Sequence, residues 1–302
     1  MGMEQPQIVI IGASVLDVLA HPADAEVFQT GSSPAEEIRL SVGGDALNEA
    51  TVLAKLGKKV RLETIIGADR AGDYIRGHCL ENGILLPENC VREEIPTGVN
   101  VVLIDKKGAR HFLTNPKSTL RKLTLKDIAV PFPESARIVC FASIFVFSEL
   151  GPEELYRIFS QAKAQGKIVC ADMTKRKNRE MAADLKAALG CVDYLFPNDE
   201  EAMLVTGRET VEEAAEELRA AGAAHVAVKC GARGCYLLDG EGGRWIPAEA
   251  GVRCVDTTGA GDSFAAGFLF ALSEGKSFQE CAEYGNRCGA RAVGVTGATE
   301  WL

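Results

Sequence analysis

The feature that most narrows the fold of this chain is a regular alternation of short apolar runs with segments of helical period. The runs at 8–11, 60–65, 99–104, 138–141, 168–171, 194–196, 226–228 and 236–238 have the length and apolar character of buried strands. Helix-like patterns lie between many of them, at 46–56, 74–80, 152–164, 178–188 and 211–221. In the first, Ala46, Leu47, Ala50, Leu53, Ala54 and Leu56 fall on one face. Such alternation predicts right-handed βαβ units. The expected architecture is α/β, with a central, mostly parallel sheet flanked by helices on both faces.

Two stretches break the rhythm. Residues 14–42 carry short alternating pieces with Pro and Gly, and 96–115 read as a hairpin with its turn at 105–108. Strand pieces outside the βα alternation predict a small β-sheet lid over one edge of the main body. With 302 residues, 47% of them hydrophobic, a large core is available. No linker, internal repeat or low-complexity tract divides the chain, so one domain over 1–302 is expected.

The chemistry concentrates in Asp256-Thr257-Thr258-Gly259-Ala260-Gly261-Asp262-Ser263-Phe264, followed by an apolar helical run at 265–272. Glycines at 259 and 261 allow a tight turn at a helix start, where several N–H groups can converge on one anion. Asp262, on the first turn, is placed to accept a proton beside that anion. Phosphoryl transfer needs both an electrostatic cradle and a base for the attacking hydroxyl. The bland alternative is a glycine-rich helix start whose aspartates only cap.

This nonamer resembles the C-terminal signature of the ribokinase-like sugar kinases, the phosphofructokinase-B family. Gly43-Gly44-Asp45-Ala46-Leu47-Asn48-Glu49-Ala50, continuing through Leu53-Ala54-Lys55-Leu56-Gly57, is similar to that family's N-terminal signature. Both stand in the expected order, and intermediate landmarks extend the resemblance over nearly the whole chain. It implies an ATP-dependent carbohydrate kinase with Asp262 as catalytic base and the amides of Gly259, Ala260 and Gly261 as anion hole. It further implies sugar contacts from Asp17, Gly44 and Asn48, although Asn48 alone could simply bond its own backbone at a helix start; Asp45 between them departs from the family pattern and is a further substrate-side candidate.

Asn198-Asp199-Glu200-Glu201 looks like the family's N-x-x-E element, which organises Mg2+ and phosphate largely through water. The same residues would serve equally as an N-cap with acidic first-turn neighbours. The loop Lys229-Cys230-Gly231-Ala232-Arg233-Gly234 and the segment Val295-Thr296-Gly297-Ala298 resemble nucleotide-side loops, which implies nucleotide contacts at Lys229, Gly231, Gly234 and Gly297. Lys229 stands where relatives often have a small hydroxyl residue. Asp256 and Thr258 correspond to a monovalent-cation (K+) site of many relatives, and an inserted lid in this family often pairs two subunits into a homodimer.

The remaining composition works by exclusion. A formal charge of −9 disfavours nucleic acid or an anionic membrane as partner. Ten cysteines without a C-x-x-C, and no export signal or spanning apolar run, lead us to expect a cytoplasmic protein with free thiols. Gly275-Lys276-Ser277 lacks the first glycine of a P-loop, and Gly12-Ala13-Ser14 is not a dinucleotide fingerprint. Asp172-Met173-Thr174-Lys175-Arg176 is similar to an element of fructokinase and ketodeoxygluconate kinase branches, which makes Arg176 a substrate-side candidate, and Ser143 stands where ribokinases tend to carry glutamate. With Asp45 disfavouring an anionic substrate, a neutral ketose such as fructose is the expected acceptor. Ribose or a nucleoside is the alternative, and a non-catalytic sugar or nucleotide sensor a more distant one.

Overall fold

The protein is described from a computed structural model, which covers residues 5–106 and 109–302. Among these residues the strands are, in chain order, β1 (Ile8–Ile11), β2 (Val15–His21), β3 (Glu37–Gly43), β4 (Val60–Glu63), β5 (Ile66–Gly67), β6 (Val91–Arg92) and β7 (Val99–Ile104). They continue with β8 (Arg110–Thr114), β9 (Ile138–Ile144), β10 (Ile168–Met173), β11 (Tyr194–Leu195), β12 (His225–Lys229), β13 (Cys235–Asp239) and β14 (Gly242–Ile246). The α-helices are α1 (Val27–Thr30), α2 (Asp45–Lys55), α3 (Arg70–Glu81), α4 (Pro152–Ala164) and α5 (Lys186–Leu189). After them come α6 (Asp199–Thr206), α7 (Val211–Ala220), α8 (Ala260–Ser273) and α9 (Phe278–Ala292).

Eight strands form the main sheet in the order β14-β13-β12-β11-β10-β9-β1-β4. From β4 to β12 every neighbouring pair is parallel, and β13 and β14 add antiparallel partners at one edge. A parallel sheet is covered on both faces, which is why its strands read as unbroken apolar runs. In β1, Val9 and Ile11 enter one core with Leu155 and Phe159 of α4 and Leu218 of α7. Ile8 and Ile10 enter the other, with Leu53 of α2 and Phe264 and Phe268 of α8. Each such buried aliphatic or aromatic side chain contributes about 1.5–3 kcal/mol. Eight of the ten cysteines are buried and none is disulfide-bonded, so they act as small apolar fillers.

The lid is a separate sheet, β3-β2-β7-β8. Its strands lie within the two stretches that break the βα rhythm; Lys107 and Gly108 of the expected turn fall outside the described residues. One expectation needs correction. Residues 178–188 are not one helix but a loop, a 3-10 turn (Ala182–Leu185) and the short α5. Glu180 ties the Asn178 amide, and the Asp184 carboxylate accepts the Met181 N–H at 2.8 Å, so the first turn starts only at Ala182. No helix among the described residues is long and apolar enough to cross a membrane.

Candidate active site

Strand order reverses at β1, with β4 on one side and β9 on the other. Chains leaving the carboxyl ends of the strands diverge there and leave a crevice. Ser143 on β9, Asp172 on β10, Asn198 after β11 and Lys229 ending β12 all line one cleft of about 820 Å3.

The opposite wall of the cleft is the start of α8. Gly259 precedes the helix with φ 68°, and a Cβ there would lie 2.7 Å from the Cα of Ala298, so only glycine fits. Ala260, Gly261 and Asp262 line the cleft from the first turn. At a helix start the amides have no intrahelical acceptor, and the dipole favours an anion. Burial and then the Asp45 carboxylate push Asp262 up to about 7, against the pull of the Asn48 amide and Lys229. Asn48 Nδ2 donates to Asp262 at 2.7 Å, because α2 packs directly on α8. Its Oδ1 is buried with no donor and is free to accept a hydrogen bond from a hydroxyl.

Lys229 faces the same helix start. Its Nζ lies 3.4 Å from where a Cβ on Gly261 would be and is ion-paired with Asp172. Burial would lower the Lys229 pKa, but Asp172 and Glu201 outweigh it and hold the ammonium charged. Burial conversely lifts Asp172 to about 8, with Lys229 opposing. Asn198 and Glu201 form a reciprocal capping box: Asn198 Oδ1 accepts the Glu201 N–H and Glu201 Oε2 the Asn198 N–H, both at 2.8 Å. Both also line the cleft. The cap and the cleft wall are therefore one residue set.

A phosphate-sized anion at the start of α8 would meet helix-start backbone, an ammonium and a half-buried carboxylate. Comparison with known proteins bears on that arrangement. The model of the pfkB family of carbohydrate kinases matches residues 5–302. The chain belongs to this family. It is 27% identical to cytidine kinase of Thermococcus kodakarensis over 281 residues, 92% of each chain. To 2-dehydro-3-deoxygluconokinase of Bacillus subtilis it is 27% identical over 270 residues, 86% of this chain and 83% of that one. The crystal structure of ribokinase from Thermotoga maritima superposes with a TM-score of 0.80 at 27% identity, covering 98% of this chain and 96% of that one. These names carry three different acceptors. Family membership thus makes the chain a sugar or nucleoside kinase without choosing the substrate.

Within this carbohydrate kinase, Asp45, Ser143, Asn198, Glu201, Lys229, Gly231, Gly234, Ala260, Gly261 and Asp262 share the cleft wall. Ser143 Oγ donates to the Asp45 carboxylate. Gly44, with φ 93°, fits only as glycine against the carbonyl of Ala13, 2.5 Å from a would-be Cβ. Asp17 stands apart on the lid strand β2. Its carboxylate accepts the Asn100 amide at 2.9 Å, and Thr114 donates to Asn100 at 3.0 Å. Burial raises the Asp17 pKa against Asn100 and Arg110.

Two of the expected residues are engaged by the chain itself. Arg176 does not face the cleft: its Nη1 is spent on the Glu180 carbonyl at 2.7 Å and on Met181 Sδ. Asp256, expected with Thr258 to hold a monovalent cation, is fully engaged by donors of the chain itself. It accepts from Thr258 N and Oγ1, from Gly297 N and from Arg110. Gly297 therefore belongs to the Asp256 cluster and not to the cleft wall. Sequence reasoning missed Asp172, Asn100 and Arg110 as site residues. Asp172 was visible in its motif, whereas Asn100 and Arg110 lie in ordinary hairpin sequence with no signal.

Proposed function

We propose that this kinase transfers the γ-phosphoryl group of ATP to a hydroxyl of a neutral sugar, with fructose the best candidate. The carrying observation is the half-buried Asp262 carboxylate on the first turn of α8, bonded to Asn48 and beside the helix-start backbone that lines the cleft. In this reading Asp262 takes the acceptor proton while the amides of Gly259, Ala260 and Gly261 receive the charge of the transferring group. Lys229 adds a cation on the phosphate side. Gly231 and Gly234 line the nucleotide end, with Gly297 behind it.

Mg2+ suits the donor set, because Asn198, Glu201 and Asp172 offer oxygen alone. Among the described residues no three acidic, His or Cys side chains are grouped to hold a metal directly, which favours attachment through water and phosphate. Bound with the nucleotide, Mg2+ supplies positive charge to the phosphate oxygens. Asn198 and Glu201 keep their orientation through the reciprocal cap.

Neutrality of the acceptor rests on charge. Asp45 and Asp262 line the cleft, the Lys229 ammonium there is taken up by its ion pair with Asp172, and Arg176, the cation that would welcome a carboxylate, is engaged elsewhere. A nucleoside is the second reading. A cavity of about 250 Å3 under the lid, with Leu19, Ile104 and Val255 among polar and charged residues such as His21, Glu37 and Arg39 in its wall, would take a flat polar base attached to a sugar held at Asp17. A second copy of the chain is the proposed partner at the lid. Leu40, Val18, Val101 and Leu113 are aligned across its four strands, and Leu40 and Leu113 are exposed.

The test is sugar-dependent ADP release with a panel of fructose, ribose, 2-dehydro-3-deoxygluconate and nucleosides. Fructose should give the highest kcat/KM. Preference for a nucleoside would move the reading to the second one, and no release with any acceptor would remove the kinase reading.

A further inference from the structure

Asp256 joins three segments of the chain. Its Oδ1 accepts the Thr258 amide at 3.0 Å and the Thr258 hydroxyl at 2.8 Å. Its Oδ2 accepts the Gly297 amide at 2.9 Å and is ion-paired with Arg110. Arg110 opens the lid strand β8, and Thr258 directly precedes Gly259 and the start of α8. One carboxylate therefore connects the lid to the turn that carries the anion hole.

The connection is partly buried, with the Arg110 and Asp256 side chains 15% and 9% exposed. Burial works to raise the Asp256 pKa, but hydrogen bonds from Gly297 and Thr258 and the charge of Arg110 outweigh it and keep the carboxylate ionised. A partly buried carboxylate is held most firmly when a counter-charge joins its hydrogen bonds. The other cation in the same cavity, Arg39, is directed to Glu37 at 3.4 Å and Glu300 at 3.7 Å. Arg110 is the group that reaches Asp256, and a guanidinium is permanently charged and directional.

We propose that Arg110 is a positioning residue for phosphoryl transfer. Acting through Asp256 and Thr258, it fixes the aim of the Gly259, Ala260 and Gly261 amides, and it supplies the positive charge that a free monovalent cation would otherwise bring to Asp256. The inference rests on the kinase reading of the Asp262 site. Its physical basis is that an anion hole works only if its donors are held before the charge develops. A turn through a left-handed glycine has little stiffness of its own, so whatever anchors Thr258 sets it. Potassium should then be dispensable in the native protein. With Arg110 truncated, the cavity beside Asp256 would admit a small cation.

The experiment compares the native protein, Arg110→Met and Arg110→Lys in potassium, sodium and tetramethylammonium chloride at fixed ionic strength. The native protein should give equal rates in all three salts. Removing one oxyanion donor outright costs about 10²–10³ in kcat, so loosening the turn should cost Arg110→Met about 10- to 100-fold in kcat. The fall in kcat should exceed any rise in sugar KM, to which Arg110 also contributes through the charge it lends Asp17, a split that marks loss of an interaction made in the transition state. Potassium or millimolar guanidinium should restore much of that rate where tetramethylammonium does not, and Arg110→Lys should retain most of it. Lys106→Ala, which breaks the exposed lid pair with Asp24, should change nothing. Hydrogen exchange of the peptide spanning 256–264 should be faster in Arg110→Met, a readout independent of turnover. Native-like kcat in Arg110→Met, a rise in KM alone, or several-fold potassium activation of the native protein would each overturn the proposal. A native protein that phosphorylates no acceptor overturns the function above instead, and the exchange rates then decide the role of Arg110 by themselves.

Discussion

The crevice at the carboxyl ends of the parallel strands and the lid above it were built by different rules. Crevice residues follow strands in a fixed rhythm: Ser143, Asp172, Asn198 and Lys229 each close or follow a strand, so one topological rule brings them together. Lid residues meet by cross-strand register. Asp17 pairs with Ser41 on one side and Asn100 on the other, and Asn100 with Thr114, which sets four polar side chains in one row. The chemistry of the crevice is thus written in local motifs. That of the lid depends on pairings between residues up to about a hundred positions apart. The two regions should accordingly fail in different ways.

The largest effect is expected in the crevice. Asp262→Asn keeps the shape and the Asn48 contact but removes the base, so kcat should fall by about 10²-fold or more with little change in binding. The same residue sets the pH response. A base must be ionised to act, and its raised pKa of about 7 places the ascending limb of kcat/KM near neutrality. The rate should climb about tenfold per unit below that point and level above it. A folded Asp262→Asn protein with native turnover, or a profile flat from pH 5 to 8, would sink this assignment.

In the lid the loss should appear in KM. In the proposed reading Asp17 accepts hydroxyl hydrogen bonds, each worth roughly 1.5–3 kcal/mol to a charged acceptor, so Asp17→Ala should raise the sugar KM about 10- to 100-fold. ATP affinity without sugar should hold. A lowered melting temperature with unchanged KM would mean that Asp17 only braces Asn100 and Gly43. The smallest catalytic effect belongs to the outer face of the lid. Leu40→Asp should halve the mass measured by light scattering and leave single-site chemistry nearly intact. A native protein that is already monomeric would remove the second copy from the lid.

The sequence by itself determined the α/β architecture and the glycine-rich helix start that walls the crevice. Continuous apolar runs such as Ile8–Ile11 can only be buried on both faces, and the glycines at 259 and 261 are needed wherever the backbone must approach an anion. Both are local requirements and leave a local trace. It also marked the lid as a departure from the rhythm, through 14–42 and 96–115. Tertiary structure alone decided the partners of the long side chains. Arg176 satisfies its guanidinium four and five residues away, on Glu180 and Met181, although its motif resembles a substrate-facing one. Arg110 reaches Asp256, 146 positions along the chain, although nothing in the hairpin sequence announces it. A flexible charged side chain selects whichever opposite charge or carbonyl the fold brings within reach, and that choice is made by packing between distant segments.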